Sequence, residues 1–353
     1  MSAFEPGYVT LFRSGELVRR AEILANHIKA CDLCPRECGN NRLNEKEGFC
    51  RAGSLPLVAS SCVHRGEEPP ISGDKGSGTI FFSNCTMQCV YCQNHQISQE
   101  FKAQPSDRIS IDSLADRMLS LQSEGCHNIN LVTPTHFVPQ IVQALVSAIP
   151  RGLNIPIVYN TSGYESTQII RELEGVIDIY LPDLRYASDE AAKTLSKTGD
   201  YVKHARAAIK EMYRQAGDLK VSEDGIAQRG LIVRHLILPE RLAGSRESLT
   251  WLAQEVSNSV TVSIMAQYYP AHRATRQENI NRKITVAEYV EVVKLVNRLG
   301  LENGWFQEME SAETYVPDFE RTEHPFENER KTRKLNPKSQ ENIQHTRNNN
   351  QTS

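Results

Sequence analysis

The chain has 353 residues, of which 39% are hydrophobic and 24% are charged, and its net charge is −3. This length suffices for one large domain or two ordinary ones, and the composition predicts a well-packed soluble core. The small net charge argues against a nucleic-acid or membrane partner. No apolar run of about 18 residues is present, so the sequence does not predict a membrane-spanning helix.

Cysteine usage points to metal binding. The N-terminus has an early acidic residue and no long apolar stretch, so it does not predict a signal peptide and we expect a cytoplasmic protein. Thiols stay reduced in that compartment, where clustered cysteines bind metal rather than form disulfides. Seven of the nine cysteines fall in two tight clusters, and we expect the other two, Cys62 and Cys126, to be small buried residues.

Residues 1–75 are predicted to form an irregular segment that follows one helix, "ELVRRAEILANHIKAC". The segment contains the first cluster, spaced C-x2-C-x3-C-x11-C: Cys31, Cys34, Cys38 and Cys50. Four thiolates satisfy a tetrahedral zinc site, and they equally satisfy a 4Fe–4S cluster that relays electrons. In either case the metal would hold together a segment that is too poor in apolar residues to fold alone.

Residues 76–318 alternate between short apolar runs and amphipathic stretches. Six runs read as buried parallel strands: 78–83, 128–132, 155–159, 176–181, 231–238 and 260–265. The clearest helix between or after them is "TVAEYVEVVKLVNRLG", in which Thr285 and Glu288 form a capping box and Gly300 ends the helix. This rhythm predicts a parallel α/β architecture, and both an open barrel and a doubly wound sheet satisfy it. Residues 319–353 predict a disordered basic tail.

The second cluster follows the first predicted strand, in "SNCTMQCVYCQNH". Active sites of parallel α/β folds gather at the carboxyl ends of the strands, so Cys85, Cys89 and Cys92 are expected at the functional rim. Three thiolates can hold a 4Fe–4S cluster and leave one iron open to a small molecule. The alternative is a zinc knuckle in which His95 is the fourth ligand.

With Tyr91, this loop has the pattern C-x3-C-x-aromatic-C and resembles the radical S-adenosylmethionine (SAM) superfamily. Further segments, among them "CDLCPRECGNNRLNEKEGFCRAG", "YNTSGYES", "VRHLILP" and "GWFQE", resemble the group of pyruvate formate-lyase activating enzyme-like proteins, over roughly residues 25–310. The resemblance implies an open parallel (β/α)6 partial TIM-type barrel. It also implies a 4Fe–4S cluster on the three cysteines that binds SAM and yields a 5′-deoxyadenosyl radical, which abstracts hydrogen from a substrate.

The substrate implied by the group is a glycine of a glycyl-radical enzyme, with a small molecule or another protein side chain as the alternative. The expected electron donor is a flavodoxin or ferredoxin. Two other classes of protein compete with this interpretation: a non-enzymatic iron–sulfur electron carrier and a zinc-stabilised binding module. The carrier explains neither six βα units nor an open iron site.

The resemblance places Tyr91 near the adenine of SAM. The Gly-Gly-Glu segment that contacts the amino group of SAM in many members is replaced here by "TPTHF", so the candidates for that contact are Thr133, Thr135 and His136. Residues after the later strands are candidates for the same rim: Asn160, Thr161, Ser162, Asp183 and Arg234. A buried guanidinium needs a partner, and we expect the SAM carboxylate to pair with Arg234, with Asp183 as the alternative partner.

Overall fold

The computed structural model describes residues 4–44, 48–103 and 107–309, together with residues 317, 319, 325 and 326. Within these residues nine strands form one sheet: β1 Val58–His64, β2 Ser77–Phe82, β3 Ile129–Val132, β4 Ile157–Thr161, β5 Ile179–Pro182, β6 Lys220–Val221, β7 Ala227–Leu236, β8 Thr261–Met265 and β9 Gly304–Phe306. The strand order is β1-β2-β3-β4-β5-β7-β8-β9, and β6 pairs with β7. All pairings from β2 to β9 along this path are parallel, whereas β1 is antiparallel to β2.

The longer helices connect the strands and cover one face of the sheet. They are α1 Gly7–Arg13, α2 Glu16–Asn26, α3 Pro69–Ser72, α4 His95–Ser98, α5 Ile111–Ser123, α6 Val138–Ala148, α7 Thr167–Glu172, α8 Asp189–Ser196, α9 Tyr201–Ala216, α10 Ser245–Glu255 and α11 Val286–Leu299. The predicted capping box is present, since Thr285 Oγ1 accepts from Glu288 N and the Glu288 carboxylate accepts from Thr285 N. None of the described helices is long and apolar enough to cross a membrane.

The predicted parallel α/β architecture is confirmed, and it is consistent with a partial TIM-type barrel. All six predicted runs form strands of the sheet, but the sheet has a seventh parallel strand, β9, which is only three residues long. The prediction also missed β1, because its serines hide the apolar pattern. This strand lies in the segment predicted to be irregular, so residues 58–64 belong to the sheet rather than to a separate N-terminal element.

Alternate residues along the strands face two different cores. On one face, Ile71 of α3 packs with inward side chains of β4, β5 and β7: Val158, Ile179, Leu181, Ala227 and Ile232. On the other face, residues such as Tyr159, Tyr180 and Val233 join the large core beneath the helices. Side chains at the carboxyl ends of the strands therefore follow the same alternation, which decides which of them reach the inner space.

The described C-terminal residues lie on the inner side of the sheet edge. Phe319 packs edge-on against Phe81 of β2, with ring centroids 5.3 Å apart, and the Phe326 ring is 4.2 Å from that of His64. These two side chains lie in the segment predicted to be a disordered tail, yet they are packed. The rest of that segment is outside the described residues.

Candidate functional site

The loop after β2 carries the second cysteine cluster. A left-handed backbone at Asn84 (φ 69°) turns the chain after the strand. Met87 N donates to Cys85 Sγ at 3.3 Å, and Ser98 Oγ lies 3.2 Å from Cys92 Sγ. Burial and the neighbouring thiols raise the pKa of Cys85 to about 12 and also raise that of Cys92. These groups therefore become thiolates at neutral pH only when a cation holds them.

The buried Cys89 has two side-chain donors on its sulfur. Arg185 Nη1 donates at 3.1 Å and Ser196 Oγ at 3.0 Å. A chain of hydroxyls continues from this serine, because Tyr186 bonds Ser196 at 2.6 Å and shares a 2.5 Å hydrogen bond with Tyr91. Donors aimed at a sulfur stabilise negative charge on it, so this environment suits a thiolate ligand.

An open cavity of about 210 Å³ lies beside this loop, at the carboxyl ends of the parallel strands. Tyr91 and Cys92 line it from the loop. The predicted cofactor-binding residues Asn160, Asp183 and Arg234 line it from the ends of β4, β5 and β7. The structure therefore brings these predicted residues around one space, as expected for strand-end side chains of a parallel sheet.

Arg234 is paired within the protein. Its Nε contacts Asp183 Oδ1 at 2.8 Å, its Nη2 donates to Asn160 Oδ1 at 2.7 Å, and its Nη1 lies 3.7 Å from Glu67 Oε2. Burial alone would raise the pKa of Asp183, but Arg234 and Arg185 outweigh it and hold that pKa below its usual value. Asp183, the alternative partner, thus contacts Arg234 within the protein, and the pairing of Arg234 with a SAM carboxylate stays a prediction.

Thr135 and Thr161 do not line the cavity, although both were predicted to contact the cofactor. Their hydroxyls donate to Glu165 Oε1, and Tyr159 donates to Glu165 Oε2 at 3.1 Å. Because side chains alternate along β4, Asn160 faces the cavity and Thr161 faces the opposite side. The carboxyl group of Glu165 is completely buried, and burial raises its pKa to about 7.

The other predicted rim residues also lie outside the cavity lining. Buried His136 places its Nε2 at 2.8 Å from Ser83 O, and burial lowers its pKa to about 3, so the ring is neutral. The Ser162 carbonyl accepts from Tyr201 Oη at 2.9 Å. Thr133 has a left-handed backbone, with φ 59°. Such a conformation is strained for a β-branched residue, and strain of this kind concentrates at functional sites.

Two acidic residues of the cavity were not among the predicted site residues. Asn160 Nδ2 donates to Glu67 Oε1 at 3.2 Å, whereas Glu68 Oε2 accepts from Ser263 and Trp305 deeper inside the sheet. Burial raises the pKa of Glu68 to about 7. The sequence feature that could have indicated these residues is "EEPP", in which two acidic residues directly precede two prolines. Proline fixes the backbone φ angle, so the carboxylates lie next to a rigid point of the chain.

The N-terminal cysteines lie in an irregular segment that packs against the loop containing Cys85, Cys89 and Cys92. Burial raises the pKa values of Cys31, Cys34 and Cys50. Arg36, between two of the cysteines in the chain, donates to Thr86 O at 2.7 Å and to Lys197 O at 2.8 Å. The segment is therefore held directly against the loop of the second cluster.

A family model described as the radical SAM superfamily matches residues 79–226. The chain is also 30% identical over 289 residues to the uncharacterized protein MJ0674 of Methanocaldococcus jannaschii, which covers 80% of this chain and 79% of the relative. The chain belongs to the radical SAM superfamily.

Solved structures give weaker likenesses to this radical SAM protein. One is the FeFe-hydrogenase maturase HydG from Carboxydothermus hydrogenoformans, with 14% identity and a TM-score of 0.44, over 63% of this chain and 50% of that chain. Methylornithine synthase (PylB) has 15% identity and a TM-score of 0.39, over 63% of this chain and 62% of that chain. The chain spans about half the length of the HydG structure.

Superfamily membership implies a 4Fe–4S cluster and SAM. The residues present fit that cluster, because three buried or half-buried thiols share one loop and each sulfur has a hydrogen-bond donor. Cys92 also lines the cavity, which puts one ligand of the cluster next to the space a small molecule would enter.

Proposed function

We propose that this chain cleaves SAM reductively at a 4Fe–4S cluster held by Cys85, Cys89 and Cys92. The observation that supports it is the meeting of this loop with the strand-end cavity, since Tyr91 and Cys92 belong to both. When bound, the reduced cluster supplies one electron to the sulfonium, which releases methionine and a 5′-deoxyadenosyl radical. The chemistry available at the site would then be abstraction of a hydrogen atom from a substrate C–H bond, with 5′-deoxyadenosine as the product.

The chain's own residues would hold SAM and keep the cluster reducible. We expect Tyr91 to pack near the adenine, and Asn160 and Glu67 to orient the cofactor through polar atoms that face the cavity. The two donors on Cys89 stabilise the more negative, reduced state of a cluster and so raise its reduction potential. An electron donor such as flavodoxin or ferredoxin would complete the reaction.

The implied substrate is a glycine of a glycyl-radical enzyme, as in the activating-enzyme-like group. A small molecule is the second candidate, and the lining of the cavity favours it. Pro317 and Phe326 contribute to that lining, so side chains near the C-terminus take up part of the space that a bulky substrate would need. Incubation with a glycine-containing peptide and with candidate small molecules, followed by radical detection, distinguishes the two.

The N-terminal thiols are candidates for a second metal site. Arg36, which lies between Cys34 and Cys38, donates to Thr86 O in the loop of the first cluster, and this puts the two cysteine segments side by side, as an electron relay requires. We therefore propose a second 4Fe–4S cluster on Cys31, Cys34, Cys38 and Cys50, with zinc as the alternative that the same four thiolates satisfy.

The test of the proposed function is anaerobic counting of iron and sulfide, with SAM cleavage measured under a strong reductant. Cys89→Ala removes the thiolate with the most donors, so deoxyadenosine formation should fall to background while the fold survives in circular dichroism. Cys126→Ala, outside both clusters, is the matched control and should cleave SAM normally. Normal cleavage by the Cys89→Ala protein would show that this loop is not the catalytic site.

A further inference from the structure

Two histidines and a glutamate converge beside the cysteine loop. His95 begins α4, Glu100 follows that helix, and His272 lies in the loop after β8. One ligand atom from each residue lies within 4.8 Å of the others. The Glu100 carboxylate sits between the imidazoles, with Oε2 at 3.1 Å from His95 Nδ1 and Oε1 at 3.3 Å from His272 Nδ1. The two ring centroids are 4.8 Å apart.

These contacts differ from ordinary histidine–carboxylate hydrogen bonds. His95 Nδ1 is buried from solvent and has no hydrogen-bond partner in spite of the carboxylate 3.1 Å away, so the two atoms do not point at each other. By contrast, His127 Nε2 and Asp74 Oδ1 form a hydrogen bond of 2.8 Å. The arrangement of His95 and Glu100 is the one found between two ligands of the same metal ion. The lone pairs of such ligands point at the ion and not at each other.

The backbone at His272 turns its side chain towards the cysteine loop. Its φ of 53° is left-handed, a conformation that histidine, asparagine and aspartate adopt more often than other residues with a side chain. The same loop is already tied to the cysteine loop, because Ala274 N donates to Val90 O at 2.9 Å and Arg273 Nη2 donates to Gln88 O at 3.1 Å. This turn places the His272 ring against that of His95.

We propose that His95, Glu100 and His272 bind a divalent first-row transition ion, Zn²⁺ or Fe²⁺, outside the cysteine clusters. Two imidazole nitrogens and one carboxylate oxygen are a ligand set that both ions accept, with further positions left to water. The ion would fasten the loop after β8 to the cysteine loop that it overlies. In this proposal His95 shares a metal ion with Glu100 and His272. In the zinc-knuckle alternative it would share one with the three thiols.

The test uses the anaerobically reconstituted full-length protein, whose thiols are occupied by iron. After loosely bound metal is removed with a chelator, Zn²⁺ is added, excess is removed by gel filtration, and the metal is counted by mass spectrometry. We expect about one zinc per chain, with a nitrogen and oxygen shell and no sulfur in X-ray absorption. Fe²⁺ in the same site is read by Mössbauer spectroscopy as a high-spin ferrous signal separate from the clusters, and this outcome also supports the proposal.

Variants locate the ion. Glu100→Gln and His272→Asn should each weaken zinc retention at least tenfold, with the cluster absorbance and circular dichroism unchanged. His127→Asn, which removes a histidine from the ordinary hydrogen-bonded pair, should retain zinc like the unaltered protein. The proposal is overturned if the unaltered protein retains no extra metal, if His272→Asn retains as much as the unaltered protein, or if the retained zinc has sulfur ligands.

Discussion

At the residue scale, the cavity is organised by buried charges that are paired inside the protein. Asp183 lies between two guanidiniums: Arg234 contacts its Oδ1, and Arg185 contacts its Oδ2 at 2.6 Å. A buried charge without a partner costs several kcal/mol, so these pairs hold each other in place. Arg185 in turn reaches Cys89, which connects the charge network to the expected cluster ligand.

Arg234→Met tests whether this arginine has a structural role or binds the cofactor. The substitution leaves Asp183 with one guanidinium and Glu67 with none, so we expect the free energy of unfolding to fall by about 3 kcal/mol. SAM affinity should fall less than tenfold. Denaturant unfolding and calorimetric titration of SAM measure the two quantities.

Arg151→Met is the matched control, because Arg151 pairs with Asp116 at the surface and such pairs contribute less than about 1 kcal/mol. A stable Arg234→Met protein that has lost SAM affinity by tenfold or more would instead assign Arg234 to the cofactor's carboxylate.

At the element scale, close packing between strand-end loops positions the site. The loop after β4 approaches the end of β5 so closely that a Cβ at Gly163 (φ 81°) would lie 2.3 Å from Asp183 O. Tyr201 Oη, at the start of α9, donates to both the Ser162 and Asp183 carbonyls. The position of Asp183 after β5 therefore depends on the absence of a side chain at Gly163 in the loop after β4.

Gly163→Ala is expected to displace Asp183. A left-handed backbone disfavours alanine by about 1 kcal/mol, and the clash with backbone adds to that cost. Gly152→Ala is the control, since Gly152 has φ 100° and open space around the position of a Cβ. We expect Gly152→Ala to lose about 1 kcal/mol of stability and keep SAM cleavage, and Gly163→Ala to lose clearly more and cleave SAM slowly. Equal effects of the two substitutions in unfolding and activity assays would contradict a positioning role.

At the scale of the whole molecule, three buried carboxyl groups connect distant segments. Asp178 accepts from Gly7 N and from Ile157 N, both at 3.0 Å, and so attaches α1 to the sheet. Glu68 joins the segment before α3 to β8 and β9, and Glu165 joins the ends of β3 and β4. Burial raises the pKa of each to about 7.

These pKa values predict that the protein loses stability as pH rises through 7. Between the unfolded value for glutamate, about 4.3, and the folded value, the native state binds more protons than the unfolded state, so stability falls with pH. Glu165→Gln keeps a neutral side chain at every pH. We expect it to remove a decline on the order of 2–3 kcal/mol between pH 5 and pH 8. Urea unfolding of both proteins at several pH values measures this, and parallel profiles would show that Glu165 is ionised in the folded protein.

Features that depend on local spacing could be predicted from the sequence. Buried parallel strands need continuous apolar runs, so all six predicted strands were found, and the capping box at Thr285 and Glu288 needs only residues three apart. The spacing of Cys85, Cys89 and Cys92 after a strand likewise placed the candidate cluster site at the strand ends.

Features that depend on residues far apart in the chain could not be predicted and are seen only in the folded protein. Whether a strand-end side chain faces the cavity follows from the alternation of side chains in the sheet, which separates Asn160 from Thr161 although they are neighbours at the end of β4. The partner of Arg234 is 51 residues away, and His272 meets His95 only because the loop after β8 folds over the cysteine loop. Local periodicity carries no information on such pairs, because their free energy comes from contacts that exist only once the sheet has formed.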